Sequence, residues 1–341
     1  MTNPPPDAHR TALYRSPAFR DHDTGAHVEN ASRLVAIDAE LERRDLLRGR
    51  PEIPFTAASD DALSRVHDPR YIAGVRQFAA DGGGWLDADT AVTPRSVDVA
   101  ALAAGAGIAA VDAALDGRAP RGFVMARPPG HHATSTRGMG FCLFNTVAIA
   151  AAHALDRGVE RILIVDWDVH HGNGTQDAFY DTDRVLFASV HQWPLYPGTG
   201  AASERGSGRG EGYTINLPLA AGADDQTYAE LFDRVILPAA EDHQPQMVLV
   251  SAGFDAHAHD PLGGMRLTDD GFADLARRVV RIADEHADGR VLAFLEGGYD
   301  PDALAASVVA TLAALDTDDA SLSGGAPRLE PERRQNGDAA R

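Results

Sequence analysis

Lysine is absent from this chain of 341 residues: all 31 basic residues are arginine, against 50 acidic ones, and the formal net charge is −19. GC-rich codon usage is sufficient to account for the missing lysine. The shortage of positive charge excludes one class of function. No basic stripe is available to displace counterions from a phosphate backbone, so nucleic acid is not an expected partner. Cationic partners are favoured at long range instead. Cysteine occurs once, at Cys142, which rules out an intrachain disulfide and points to a reducing compartment. The opening "MTNPPPDAHR" lacks the apolar centre of a secretory signal. No window approaches the roughly 18 apolar residues of a membrane span. A cytoplasmic protein with no membrane partner is expected.

A hydrophobic content of 44% and 33 glycines fit a compact globular enzyme. There is no internal repeat and no long linker before residue 316. Strand patterns fall at 123–126, 161–166, 185–190, 213–217, 247–251 and 291–295. Helical patterns fall at 32–47, 60–78, 94–115, 141–157, 225–242, 268–286 and 301–315. Strands alternating with helices make βαβ units, hence a mostly parallel sheet covered on both faces. Such sheets bind ligands beyond the carboxyl ends of their strands. One domain over 1–315 is expected, and the polar, Pro/Gly-interrupted 316–341 reads as a disordered tail.

One stretch concentrates chemistry. "DWDVHHGNGTQD" at 166–177 follows the apolar run "RILIV". Side chains alternate faces in an extended chain, so Asp166, Asp168 and His170 share one face where a buried strand runs out. Carboxylates that close repel and lose hydration, which calls for positive charge among them. Three more strand patterns end the same way: "ARPPGHHA" brings His131 and His132, "SAGFDAHAHDPLGG" brings Asp255, and "LEGGYD" brings Tyr299.

Asp168, His170 and Asp255 offer two carboxylates and one imidazole, a three-ligand set that leaves a position open, as in catalytic zinc sites. The same donors suit Fe(II) or Mn(II). A metal so held activates water and polarises a carbonyl. The histidine pair can transfer protons, and the Tyr299 hydroxyl, on a flexible Gly-Gly, can stabilise an oxyanion. Taken singly, a His-His pair is as readily a surface or core feature, and "EGGY" as readily a turn. Four such segments behind four strand patterns point to metal-assisted hydrolysis of an amide or ester.

These motifs, with "GFCLFN", resemble the histone deacetylase and acetylpolyamine amidohydrolase superfamily; "DWDVHHGNGT" and "EGGY" look like its class II branch and bacterial relatives. The resemblance runs from "HDTGAHVENASRL" at 22–34 to residue 315. It implies the arginase–deacetylase α/β fold, a three-layer αβα domain with a central, mostly parallel sheet of about eight strands. It implies one zinc ion held by Asp168, His170 and Asp255. His132 matches the general base that later protonates the leaving amine, His131 its electrostatic partner, Asp166 the carboxylate orienting His131, and Tyr299 the transition-state hydroxyl. Asn173 stands where class I enzymes carry an aspartate behind the second histidine. An amide holds an imidazolium less well than a carboxylate does, so His132 should be less readily protonated here.

The resemblance also implies potassium. Asp166, Asp168, His170, Ser189 and Val190 match one site, largely through backbone carbonyls; Phe179, Thr182, Val185 and Tyr213 match a second. Gly140, Phe141 and Tyr196 match walls of a slot for a four-carbon chain. Asp87 matches a rim aspartate that grips substrate amides. Leu262 stands seven residues after Asp255, where polyamine-specific relatives carry glutamate. "HVENASRL" lacks the prolines of the family's entry motif.

The expected activity is therefore hydrolysis of an acetylated or short-acylated lysine-like amine. Three alternatives stay open: an acetylpolyamine amidohydrolase, a binuclear ureohydrolase, and a catalytically silent acyl-binding protein. The ureohydrolase needs further bridging ligands, and the silent protein should have lost His132, Tyr299 or a ligand. An assembly of identical chains is compatible with any of them.

Overall fold

The computed structural model describes residues 10–317. Its strands are β1 (Ala12–Tyr14), β2 (Gly84–Trp85), β3 (Ala91–Val92), β4 (Arg121–Val124), β5 (Ile162–Asp166), β6 (Val185–Gln192), β7 (Thr214–Leu219), β8 (Met247–Ala252) and β9 (Val291–Leu295). Seven form one sheet in the order β1-β4-β9-β8-β5-β6-β7, and every pairing in it is parallel. β2 and β3 make a separate antiparallel ribbon. Each of β4, β5, β8 and β9 is buried along its whole length, which is why their sequences are near-continuous apolar runs.

The helices are α1 (Ser32–Arg43), α2 (Asp60–Leu63), α3 (Pro69–Ala80), α4 (Ser96–Leu115), α5 (Thr146–Asp156), α6 (Asn173–Phe179), α7 (Asp225–Leu231), α8 (Leu237–His243), α9 (Asp269–His286) and α10 (Pro301–Leu315). α1, α10, α9 and α7 pack in succession, while α4 packs on α5 and α3. β9 touches α9 from the first group and α4 from the second, so the groups cover opposite faces. The expected three-layer α/β architecture is present, with seven strands in the main sheet. β1 escaped the sequence reading because three residues carry no periodicity.

Local chemistry explains where the helices differ from their sequence patterns. The pattern at 60–78 splits because Asp68 caps a new helix, its side chain accepting the Arg70 N–H at 2.7 Å, with Pro69 at the first helical position. The pattern at 141–157 begins only at Thr146. Gly140 and Phe141 both have positive φ, and the Asn145 side chain accepts the Ala148 N–H at 3.0 Å. Between α7 and α8 the helix widens into one π turn at Phe232–Ile236, just before Pro238, which has no N–H to donate.

The expectation that no segment reaches membrane-span length and apolarity is corrected at α4. This helix of 20 residues is long and apolar enough by composition. Its apolarity serves the core, since 72% of its most apolar window is buried inside the protein. At the far end of the chain, Asp316 accepts the Thr11 N–H at 2.8 Å and pairs with Arg50 at 2.7 Å. The rest of the tail expected from 316 onward, residues 318–341, lies outside the described residues.

α4 passes so close to the 56–58 segment that the Ala58 N–H donates to the Ala101 carbonyl at 2.8 Å. A methyl group at Gly105 would stand 1.7 Å from the Thr56 carbonyl oxygen and 2.9 Å from the Ala58 nitrogen. Gly105→Ala gains about 1 kcal/mol of helix propensity. Overpacking against fixed backbone costs roughly 1–3 kcal/mol and more where nothing can yield. The variant is expected to be less stable by about 1–2 kcal/mol in chemical denaturation; equal or greater stability would refute this packing.

Candidate active site

The four motif-bearing strands β4, β9, β8 and β5 are neighbours in the sheet, and all are parallel, so their carboxyl ends open at one edge. Asp166 ends β5, and Asp168 and His170 follow it. Asp255 lies three residues beyond β8, and Glu296 directly follows β9.

Asp168, His170 and Asp255 converge there, each buried, with one ligand atom from each lying within 4.8 Å of the others. His170 Nδ1 sits 3.1 Å from Asp168 Oδ1 and 3.2 Å from Asp255 Oδ2. Backbone donors fix the carboxylates. Gly297 N–H donates to Asp168 Oδ2 at 2.8 Å, and Val169 N–H to Asp255 Oδ1 at 2.8 Å. Glycine is required around them: a Cβ at Gly253 would come within 2.1 Å of Asp168 Oδ2, and one at Gly297 within 2.0 Å of Asp255 Oδ2.

The charge balance of this cluster calls for a cation. Burial pushes the Asp255 carboxyl up to about 7, helped by Asp168. Burial alone would push His170 down, yet its hydrogen bonds to Asp168 and Asp255 hold it up to about 10. One divalent ion would supply that charge, and two carboxylates with one imidazole are donors that zinc accepts. The residues fit such an ion.

Beside the cluster, His131 and His132 differ in their partners. His131 Nδ1 lies 2.9 Å from Asp166 Oδ2. Burial opposes its charge, but Asp166, Asp168 and Glu296 outweigh burial and raise its pKa well above the ordinary range. His132 Nδ1 lies 2.9 Å from the Asn173 amide oxygen. Burial first, then the charges of His131 and His170, lower its pKa far below the ordinary range. Two adjacent imidazoles, ring centroids 4.0 Å apart, are thus pushed in opposite directions by their surroundings.

A pocket of about 260 Å³ opens over these groups, lined by His132, Gly140, Phe141, His170, Tyr196, Leu262 and Tyr299 among others. Phe141 meets Tyr299 edge-on at 5.7 Å, and Tyr196 meets His132 edge-on at 5.1 Å. Asp87 takes another place than the sequence reading gave it. Its side chain accepts the backbone N–H groups of Asp89 (3.2 Å) and Thr90 (2.9 Å), closing the turn of the β2–β3 ribbon. Asp89, two residues on, lines the pocket instead.

The positions matched to potassium fall in two places. Ser189 pairs with Asp166 across β5 and β6, with Val190 next to it, both fully buried. Phe179 ends α6 and its carbonyl accepts the Thr182 N–H at 3.4 Å; Val185 opens β6, and the Tyr213 carbonyl accepts the Phe187 N–H at 2.9 Å.

A family model for the histone deacetylase domain matches residues 27–315. The chain belongs to the histone deacetylase family. A probable deacetylase of Archaeoglobus fulgidus is 41% identical over 290 residues, which cover 84% of this chain and 80% of that protein. The histone deacetylase-like amidohydrolase of Pseudomonas aeruginosa is 40% identical over 83% of this chain and 74% of its own. Human polyamine deacetylase HDAC10 is 40% identical over 89% of this chain, a stretch that makes up 47% of its length. Among solved structures, the HDA15 HD domain superposes with a TM-score of 0.87 at 36% identity, covering 91% of this chain and 89% of the other.

Sequence reasoning missed the charged groups that brace this histone deacetylase site from behind. Arg33, fully buried on α1, donates to the Gly298 carbonyl at 2.7 Å and lies 5.0 Å from the Tyr299 ring centroid. Glu29 joins Arg33 at 3.2 Å and Arg127 at 2.8 Å. Glu296 accepts the N–H groups of Gly130 (2.6 Å) and His131 (3.1 Å), and burial pushes it up to about 7. A glutamate directly after "VLAFL" was the one available signal.

Asn173→Asp tests the asymmetry of the pair. A carboxylate at Asn173 would stabilise the His132 imidazolium, so the folded-state pKa rises and the neutral base is lost at a higher pH as pH falls. NMR titration of His132 in the metal-loaded protein is expected to give a pKa at least about one unit above wild type, equivalent to ~1.4 kcal/mol. An unchanged or lower pKa would refute the argument.

Proposed function

We propose that this protein is a zinc-dependent deacetylase that hydrolyses the amide of an acetylated or short-acylated, lysine-like amine. Family and site together make it a hydrolase of amide bonds. The observation that carries the finer reading is the histidine pair, His131 held by Asp166 and His132 by Asn173, beside the Asp168–His170–Asp255 cluster.

Asp168, His170 and Asp255 would hold a divalent ion, which would supply Lewis-acid polarisation of the scissile carbonyl and a more acidic water. His132, neutral and held by Asn173, takes the proton of the attacking water at its free Nε2 and returns it to the departing amine. His131, kept charged by Asp166, stabilises developing negative charge without exchanging its own proton. The Tyr299 hydroxyl keeps its proton, because burial raises its pKa well above 10, and donates to the carbonyl oxygen as it becomes an oxyanion. Phe141, Tyr196 and Leu262 enclose the alkyl chain and exclude bulk water.

Potassium is part of the proposal. The Asp166 carboxylate, the Ser189 hydroxyl and nearby backbone carbonyls are hard oxygen donors, and a monovalent cation there would offset the crowding of Asp166 and Asp168. The backbone oxygens of Phe179, Thr182, Val185 and Tyr213 would hold a second such ion. One group of three metal-binding side chains occurs among the described residues, which favours a mononuclear centre over a binuclear one.

The choice of acyl acceptor turns on Leu262, which lines the pocket. A distal ammonium is rewarded by a carboxylate, and leucine offers none. The purified enzyme is expected to cleave acetyl-lysine peptides with a kcat/KM at least equal to that for acetylspermidine. A tenfold preference for acetylspermidine, about 1.4 kcal/mol of discrimination, would contradict this reading and favour the acetylpolyamine alternative. No cleavage of any acyl amide by the zinc-loaded protein would overturn the proposed activity.

A further inference from the structure

Asp260 lies five residues past the ligand Asp255 and is buried, yet it takes no part in the metal cluster. Its two oxygens face two separate walls of the pocket. Oδ2 accepts the backbone N–H of Tyr299 at 2.6 Å, and Oδ1 accepts the backbone N–H of Leu262 at 2.9 Å. Leu262 and Tyr299 both line the pocket. One carboxylate therefore joins the residue that contacts the substrate chain to the residue that donates to its carbonyl.

Tyr299 needs such a tie. It follows Gly297 and Gly298, and Gly298 has a φ of +118°, a region that side-chain-bearing residues rarely adopt. Two glycines leave the tyrosine free to wander unless something outside the segment holds it. Arg33 binds the Gly298 carbonyl from one side, and Asp260 binds the Tyr299 N–H from the other. Asp260 is itself anchored, its N–H donating to the His257 carbonyl at 3.0 Å. A charged acceptor gives shorter and stronger bonds to backbone N–H than a neutral one does.

We propose that Asp260 is a positioning residue for the reaction: its carboxylate sets the Tyr299 hydroxyl at the place where the oxyanion develops, in register with the wall at Leu262. This rests on the proposed role of Tyr299 as oxyanion donor. Asp260→Asn keeps the shape but turns an NH₂ toward one of the two N–H groups, so one bond is lost and a donor faces a donor. Misplacement by a fraction of an ångström is enough to cost about ten- to a hundredfold in kcat.

The test is a double-mutant cycle on the zinc-loaded full chain, with metal content and hydrogen exchange measured on each protein. Asp260→Asn alone is expected to lose about tenfold or more in kcat at full metal occupancy, with faster exchange confined to the Tyr299 and Leu262 amides. In the Tyr299→Phe background it is expected to lose less than about twofold, because the hydroxyl it positions is gone. An equal loss in both backgrounds, full activity of Asp260→Asn, or unchanged exchange at Tyr299 would each overturn the inference. If Tyr299→Phe alone retains wild-type kcat, the proposed role of Tyr299 fails first, and this outcome is distinct from the others.

Discussion

Three aspartates, Asp166, Asp168 and Asp255, are fully or almost fully buried at one edge of a parallel sheet, and the architecture around them exists to make that burial tolerable. An isolated carboxylate in such a place would simply take up a proton. Here Asp166 is matched by the charged His131, while Asp168 and Asp255 accept backbone N–H groups from Gly297 and Val169. What remains unbalanced is the charge that the proposed metal ion would offset. The glycines of the motifs follow from the same crowding. A methyl group at Gly172, Gly253 or Gly297 would fall 2.0–2.1 Å from an aspartate oxygen. The sheet supplies the rest, since only neighbouring parallel strands bring β4, β5, β8 and β9 to one edge.

That constraint also explains how the histidine pair divides its labour. Asp166, Asp168 and Glu296 raise the pKa of His131 against its burial, and burial together with the charge of His131 lowers that of His132. Asn173 preserves the difference by accepting from His132 without adding negative charge. In the proposed mechanism, proton transfer falls to the imidazole beside the amide and charge stabilisation to the one beside the carboxylate, two partners of nearly equal shape. In that mechanism a substrate entering between Phe141, Tyr196 and Leu262 would meet both roles already assigned.

Most of this was legible in the sequence for a physical reason. Fully buried parallel strands are continuous apolar runs, and charged residues placed just after such runs stand out. Asp166, Asp168, His170, Asp255 and Tyr299 were found that way, and the structure brings them together with His131 and His132. Features lacking that contrast were lost. β1 is too short to show a pattern, and Asp68 and Asn145 look like helix interior until their capping bonds are seen. Asp87 and Asp89 cannot be told apart by type, because only the ribbon turn decides which one caps it and which one lines the pocket. Arg33 and Glu29 look like surface charges on an amphipathic segment, although both are buried and meet each other at 3.2 Å.

The central claim is that the buried aspartates are organised around a single divalent cation. Crystals of the protein purified with its native metal, measured for anomalous scattering on both sides of the zinc edge, test it most directly. The account requires one transition-metal peak per chain, bonded to Asp168, His170 and Asp255. Two peaks bridged by these residues, or no peak at this cluster in protein that hydrolyses acyl amides, would contradict it.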